Sequence, residues 1–312
     1  MSFVLEIMTP VFGLLALGYL AALFGWFGEQ ATDGLARFVF NFAIPVMLFR
    51  TMAGAELPTV MPAGLIGAYY IGVAAAFVLG MVVARLVFAQ TLSGQGISGF
   101  AAGYSNSVLL GIPIVLAAFG DEGAVPLFII ISIHSPLMFS SLTLVLELGR
   151  HGGQSWRSLP VNVARSLATN PMFVGLVLGL VFNLFDWGVP GPADQVMELL
   201  SAAVAPCSLF ALGSSLRRYR VFGNLGHSIV LTALKTIVHP LIVWFLAFPV
   251  FGLDPVWGAV AVVLAALPTG INVFLFANRY GVGEGRASST VLISTAFSIL
   301  TLSFVLYLFQ AG

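Results

Sequence analysis

Charge is what this chain of 312 residues has least of: 12 basic and 12 acidic side chains amount to 8% of it, against roughly a quarter in soluble domains. So few charges cannot cover a water-facing surface, which excludes an ordinary soluble enzyme. The formal net charge is zero, and no Lys/Arg run is present, so nucleic acid is excluded as a partner because it needs several phosphates neutralised at once. The single cysteine, Cys207, leaves no disulfide framework and no thiolate metal site. It reads as a small apolar residue within a helix. Carboxylates are missing from the depth of every apolar stretch, since Glu147 and Glu198 lie near stretch ends. A hard-cation site built from buried carboxylates is therefore not visible, and no cofactor or metal is expected. His134 and His239 lack an Asp, Glu or nucleophile at helical spacing, which argues against an intramembrane enzyme.

What is present is apolar: 59% of the chain is hydrophobic. A bilayer core about 30 Å thick needs roughly 20 apolar residues per helical span. Ten such stretches fall near 4–25, 34–52, 63–88, 97–119, 123–147, 164–186, 194–216, 226–250, 256–278 and 285–309. The first has no basic leader or small-residue cleavage site and contains Glu6 and Pro10, so it reads as a retained span. The expected fold is an all-α integral membrane protein in the lipid bilayer.

Arginine sets the expected orientation, because short cytoplasmic loops are enriched in Lys and Arg. Arg37, Arg85, Arg150, Arg157, Arg165, Arg217, Arg218, Arg220, Arg279 and Arg286 fall at span ends that share one side, and Arg50 alone falls on the other. Both termini are then expected outside, with a bacterial inner membrane as the setting.

The two halves also repeat. Adding 161 maps Pro10 to Pro171, Phe12 to Phe173, Gly18 to Gly179, Trp26 to Trp187, Asp33 to Asp194, Pro45 to Pro206 and Phe49 to Phe210. Further on, an offset of 155 maps Gly103 to Gly258, Val108 to Val263, Pro113 to Pro268 and Phe119 to Phe274. The organisation expected is a five-helix unit at 1–148, a short cytoplasmic linker at 149–163 and a second five-helix unit at 164–312. Five is odd, so the second copy enters from the opposite side, and inverted repeats are the architecture of many secondary transporters.

Gly111-Ile112-Pro113 lies inside the fourth stretch and Pro268-Thr269-Gly270 inside the ninth. Proline removes a backbone donor and glycine lets the chain unwind, so both spans are expected to break into half-helices. Irregular backbone at membrane depth belongs inside protein or on a watery cavity, and half-helix N-termini attract anions. Asn41, Pro45, Asn106, Ser107, Gly111, Pro113, Pro268, Gly270 and Asn272 are the candidate binding residues. Lys235 lies about ten residues into the eighth stretch, roughly 15 Å deep, where a charge is expensive and marks function. His239 shares its helical face, and His134 is central in the fifth stretch. The deep charge is positive, which suits an anion.

Five segments resemble the auxin efflux carrier family, which includes plant PIN-type carriers and bacterial malonate or malate permeases. They are FAIP (42–45), NSVLLGIP (106–113), FGD (119–121), LKTIVHP (234–240) and LPTGINVFLFANRYG (267–281), and the similarity covers essentially the whole chain. The resemblance implies ten helices in inverted five-helix repeats, with broken fourth and ninth helices crossing near Pro113 and Pro268 beneath a substrate carboxylate. It places Asn106 against substrate and Lys235 at a basic position of the family. The long hydrophilic loop of plant carriers is missing, and Asn272 stands where a more apolar residue is common, which favours a small carboxylate over auxin. The reading is a secondary carrier of a small organic anion working by alternating access, with a homodimer as a candidate assembly. A sodium-coupled symporter of the bile-acid type and a ligand sensor without transport are the alternatives.

Overall fold

The computed structural model describes residues 2–55, 63–149, 165, 168–221, 223 and 225–310. All but the first residue of the expected 149–163 linker, with Arg150 and Arg157, and Glu56 lie outside the described residues. Within them the chain is helical and carries no named strand. Seven helical stretches are long and apolar enough to cross a membrane: Phe3–Leu23, Glu29–Ala53, Ala63–Leu86, Ser107–Leu146, Gly191–Leu216, Leu225–Val250 and Glu284–Gln310. Two shorter apolar helices, Pro171–Leu184 and Pro255–Ala266, accompany them. Most of these helices are apolar on all sides, as expected where lipid rather than water covers the outer surface.

The helices are α1 (Ser2–Leu23), α2 (Glu29–Phe38), α3 (Ile44–Ala53), α4 (Ala63–Leu86), α5 (Leu92–Gly103), α6 (Ile112–Phe119), α7 (Ala124–Gly149), α8 (Pro171–Leu184), α9 (Gly191–Ala202) and α10 (Val204–Leu216). There follow α11 (Leu225–Ala233), α12 (His239–Phe245), α13 (Pro255–Ala266), α14 (Asn272–Tyr280) and α15 (Glu284–Gln310). Wider π-turns join α2 to α3 at Val39–Ala43, lead into α6 at Ser107–Gly111 and join α11 to α12 at Leu234–Val238.

Each of those π-turns precedes a proline two residues later, at Pro45, Pro113 and Pro240. A proline ring crowds the carbonyl four residues back, and here that carbonyl belongs to Asn41, Leu109 or Thr236, inside the turn each time. Opening the turn by one residue relieves the crowding without breaking the helix. This corrects the expectation at Gly111-Ile112-Pro113: the chain stays helical through Pro113, and the interruption lies earlier, at Tyr104-Ser105-Asn106. The second interruption falls where the sequence indicates. Leu267, ahead of Pro268, is extended at φ −57° and ψ 151°, as the residue before a proline prefers.

The offset of 155 is corrected with it. The half-helices α5 and α13 both have 12 residues and start 163 residues apart. Pro268 therefore belongs to a break, whereas Pro113 lies within a helix beyond one.

Close helix pairs form where glycines face backbone. Gly18 of α1 packs on the Phe210 carbonyl of α10, and Gly179 of α8 packs on the Phe49 carbonyl of α3. Gly213 faces the Leu15 carbonyl and Gly175 the Pro45 carbonyl. Small residues allow this approach, and close packing is what holds membrane helices together when lipid is as apolar as the interface.

Candidate functional site

The two interruptions meet. Ser105 and Thr269 form an antiparallel bridge, with Asn106 N–H donating to the Pro268 carbonyl (3.0 Å) and Gly270 N–H to the Tyr104 carbonyl (3.0 Å). Ser105 N–H donates to His134 Nε2 (3.2 Å), and Thr269 N–H donates to Ser294 Oγ (3.1 Å). Thr269 Oγ1 adds a bond to the Ala101 carbonyl (2.9 Å). Four N–H groups of the non-helical backbone, at Ser105, Asn106, Thr269 and Gly270, are thus engaged by protein, as a membrane interior favours.

Gly270 is needed for closeness rather than for its backbone angles: a Cβ there would lie 2.5 Å from Tyr104 Cε1. At Gly111 a Cβ would meet Leu267 Cδ1 at 2.8 Å and Leu264 Cδ2 at 3.0 Å, so this glycine lets the edge of α13 approach the turn into α6.

Beside the crossing lies a chamber of about 190 Å³. Its wall takes Phe40 and Asn41 from the first π-turn, Tyr104 to Leu109 from the first break, His134, Ser135 and Phe139 from α7, Asn170 to Met172 from the start of α8, and Ile271 and Asn272 from the second break. The helices that begin at Ser107 and Asn272 have first-turn N–H groups without intrahelical acceptors, and their positive dipole ends face this space. Asn106, 5% exposed, has its amide Nδ2 without a partner among the described residues. Asn272 Nδ2 donates to Tyr104 Oη (2.8 Å), which is 3.0 Å from Ser135 Oγ. The Tyr104 ring stacks on His134 with centroids 5.0 Å apart and planes at 8°. Among the described residues no Arg or Lys stands on the wall, which offers amides and helix dipole ends instead.

The structure brings Asn41, Asn106, Ser107, Asn272 and His134 to one wall. Pro45 is not on it; its carbonyl supports Gly175 of α8. Gly111, Pro113, Pro268 and Gly270 also lie off the wall: Pro268 and Gly270 form the crossing, Gly111 packs against Leu264 and Leu267, and Pro113 lies within α6. Lys235 and His239 are fully buried behind it. Lys235 Nζ donates to the Ala265 carbonyl (2.5 Å), at the C-terminal end of α13, and lies 3.3 Å from His239 Nδ1. A cation there complements the negative end of the half-helix dipole. Tyr104, Ser135, Asn170 and Tyr69 are the residues that sequence reasoning missed. Tyr104 follows Gly103 in an otherwise apolar stretch, which is a weak signal, and nothing local marks Ser135 or Asn170.

An all-helical chain with apolar helices long enough to cross a bilayer, meeting at two polar breaks beside a chamber, is an integral membrane transport protein. The chain belongs to the family described as membrane transport protein, the auxin efflux carrier family, whose model matches residues 3–306. It is similar to a protein of Rhizobium meliloti (strain 1021) named "Putative malonate transporter", 29% identical over 100% of this chain and 98% of the relative. "Auxin efflux carrier component 5" of Arabidopsis thaliana is 25% identical over 95% of this chain and 93% of its own length. An "Uncharacterized transporter" of Methanothermobacter thermautotrophicus is 29% identical over 95% of both. These relatives are transporters, not enzymes.

Proposed function

We propose that the protein is a secondary carrier for a small organic anion, a mono- or dicarboxylate such as malonate or malate, and that it works by alternating access in a bacterial inner membrane. The observation that carries this reading is the unpartnered Asn106 amide on a chamber wall supplied by two helix starts. Neutral donors and dipole ends suit a carboxylate, and the chamber volume of about 190 Å³ suits a small one.

The reading includes ten spans in two inverted five-helix repeats, with both termini outside. Support comes from contacts that recur under the offset of 161. Gly18 meets Phe210 as Gly179 meets Phe49. Asp33 and its counterpart Asp194 each pair with an arginine, Arg218 and Arg50, although those two arginines stand 168 residues apart. The α1, α3, α8 and α10 group would support the crossed helices as they rock, exposing the chamber to one side at a time.

The test is uptake of labelled malonate, malate, lactate and indole-3-acetate into proteoliposomes, paired with thermal midpoints, which rise when a ligand binds the folded state. Asn106→Ala removes an amide whose Nδ2 has no partner among the described residues, so we expect an unchanged midpoint without ligand and at least a tenfold fall in uptake. Normal transport by this variant would overturn the site.

A further inference from the structure

Behind the crossing, five buried polar atoms have no hydrogen-bond partner among the described residues: Tyr69 Oη, Ser105 Oγ, Asn106 Nδ2, His134 Nδ1 and His239 Nε2. Buried polar groups are normally satisfied, so a cluster of orphans calls for an explanation. Four of the five belong to neighbouring residues, Tyr69, Ser105, His134 and His239. His134 lines the chamber and holds the break through Nε2. Tyr69 sits between two imidazoles, with its ring centroid 5.6 Å from that of His134 and 6.1 Å from that of His239. Its hydroxyl faces Ser105 and Ser107 of the first break. His239 Nδ1 then reaches Lys235 Nζ at 3.3 Å.

We propose that His134, Tyr69, His239 and Lys235 form a buried proton relay, with Lys235 as the loading group, that makes this carrier a proton–anion symporter. The proposal rests on the carrier reading above.

The Lys235–His239 pair serves both protonation states without movement of its heavy atoms. With Nζ neutral, the amine donates to the Ala265 carbonyl and accepts from His239 Nδ1–H, which leaves Nε2 as an acceptor. When a proton binds at Nε2, the Nδ1 proton passes to Nζ, and the ammonium then donates to Ala265 and to Nδ1. One N–H bond forms at Nε2, one is broken at Nδ1 and one forms at Nζ, for a net gain of one proton and one positive charge. Tyr69 stands between the two orphaned ring nitrogens without a hydrogen bond to either, so water bridging these unpaired atoms carries the proton from His134 Nδ1 past Tyr69 Oη to His239 Nε2, and His134 Nδ1 is reprotonated from the chamber that His134 lines. His134 stays neutral while Nε2 accepts from Ser105, so its proton resides on Nδ1, the nitrogen that lacks a partner.

Nothing else around Lys235 takes this role. It packs against α4, α5, α13 and α15. Near it α4 contributes Tyr69 and Tyr70, and the Tyr70 hydroxyl is committed to the Ile130 carbonyl (2.6 Å). Helices α5 and α13 carry no titratable side chain, and those of α15 are Glu284, Arg286 and Tyr307, near its two ends. His227 lies about two turns earlier on α11, against Phe88 and Arg286. Tyr104 is held by Ser135 and Asn272. No carboxylate pairs with Lys235 among the described residues. A buried ammonium without a counter-charge is costly. An anion in the chamber offsets that cost, so anion and proton bind cooperatively and each raises the affinity for the other.

The experiment uses the full chain in proteoliposomes that enclose a pH-sensitive dye, with empty liposomes as the control for passive acid entry. Labelled malonate, malate, lactate and indole-3-acetate are supplied outside, with and without an inward proton gradient. The expected result is gradient-driven accumulation with matching internal acidification, and uptake that rises as the outer pH falls. Tyr69→Phe keeps the ring and removes the hydroxyl, so the thermal midpoint should change little while gradient-driven accumulation falls at least tenfold and the pH profile flattens. His239→Gln, which keeps a polar partner for Lys235 but cannot pass a proton between two ring nitrogens, should behave alike. Label entry that ignores the gradient and brings no acidification overturns the relay and leaves the carrier standing. A wild-type pH profile in both variants also overturns it. Failure of all four acids to enter overturns the carboxylate reading itself, and the relay falls with it.

Discussion

Arg50 donates from Nε and Nη2 to the two carboxylate oxygens of Asp194, 2.6 and 3.1 Å away and 144 residues distant in sequence. Glu198, one turn further along α9, adds a longer ionic contact at 3.6 Å. At the other end of the same pair of helical stretches, Arg218 pairs with Asp33 at 2.8 Å. Arg50 is the one arginine that the orientation count sets apart from the others, and its partner accounts for its place: a fork that matches a carboxylate bidentately is held where Asp194 lies.

That pair is exposed by about a third on both sides, so its attraction is screened by water and ions. In a double-mutant cycle of Arg50→Ala and Asp194→Ala followed by thermal midpoint, we expect a small coupling at low salt. It should vanish near 1 M salt, where the screening length is about 3 Å. Coupling that survives high salt would mean that the pair is closed off from solvent.

Gly179 and Gly13 offer a direct comparison of glycines in membrane helices. A Cβ at Gly179 would press on the Phe49 carbonyl and the Met52 side chain, whereas a Cβ at Gly13 meets nothing within 4 Å. Gly179→Ala should destabilise the protein by about 1–3 kcal/mol, the usual cost of overpacking, while Gly13→Ala should leave the midpoint unchanged or slightly raised. Equal effects of the two, read by thermal unfolding in detergent, would show that the α3–α8 contact does not depend on backbone closeness.

Gly270→Ala tests the crossing itself. The added methyl would lie 2.5 Å from the Tyr104 ring, so Tyr104 must move from Ser135 and Asn272. We expect the affinity for a transported acid to fall at least tenfold, about 1.4 kcal/mol, with a smaller loss of stability. Unaltered affinity would separate the Tyr104 hydroxyl network from binding.

Much of the fold is legible in the sequence because lipid imposes a simple rule: apolar stretches of sufficient length become helices that satisfy their own backbone. The depth of Lys235 is legible for the same reason, since a charge inside such a stretch stands out. Pro113 is misleading, because proline's cost was absorbed by a π-turn rather than by a break. The 155 offset fails similarly, as single matches in apolar sequence carry little positional information. Among candidate residues, the amides at 41, 106 and 272 reach one wall, while Pro45 and the two Gly–Pro pairs serve packing.

The sequence by itself determined that this is a membrane protein, where its apolar stretches run, that the chain leaves the helix at Pro268-Thr269-Gly270, and that a lysine is buried within a span. Only the tertiary structure decided the first break. No proline stands at Tyr104-Ser105-Asn106; the acceptors that draw its N–H groups out of helical pairing are His134 Nε2 and the Pro268 carbonyl. Those atoms come from distant parts of the chain, so the break, the chamber beside it and the cluster of orphaned groups behind it exist only once the helices have packed.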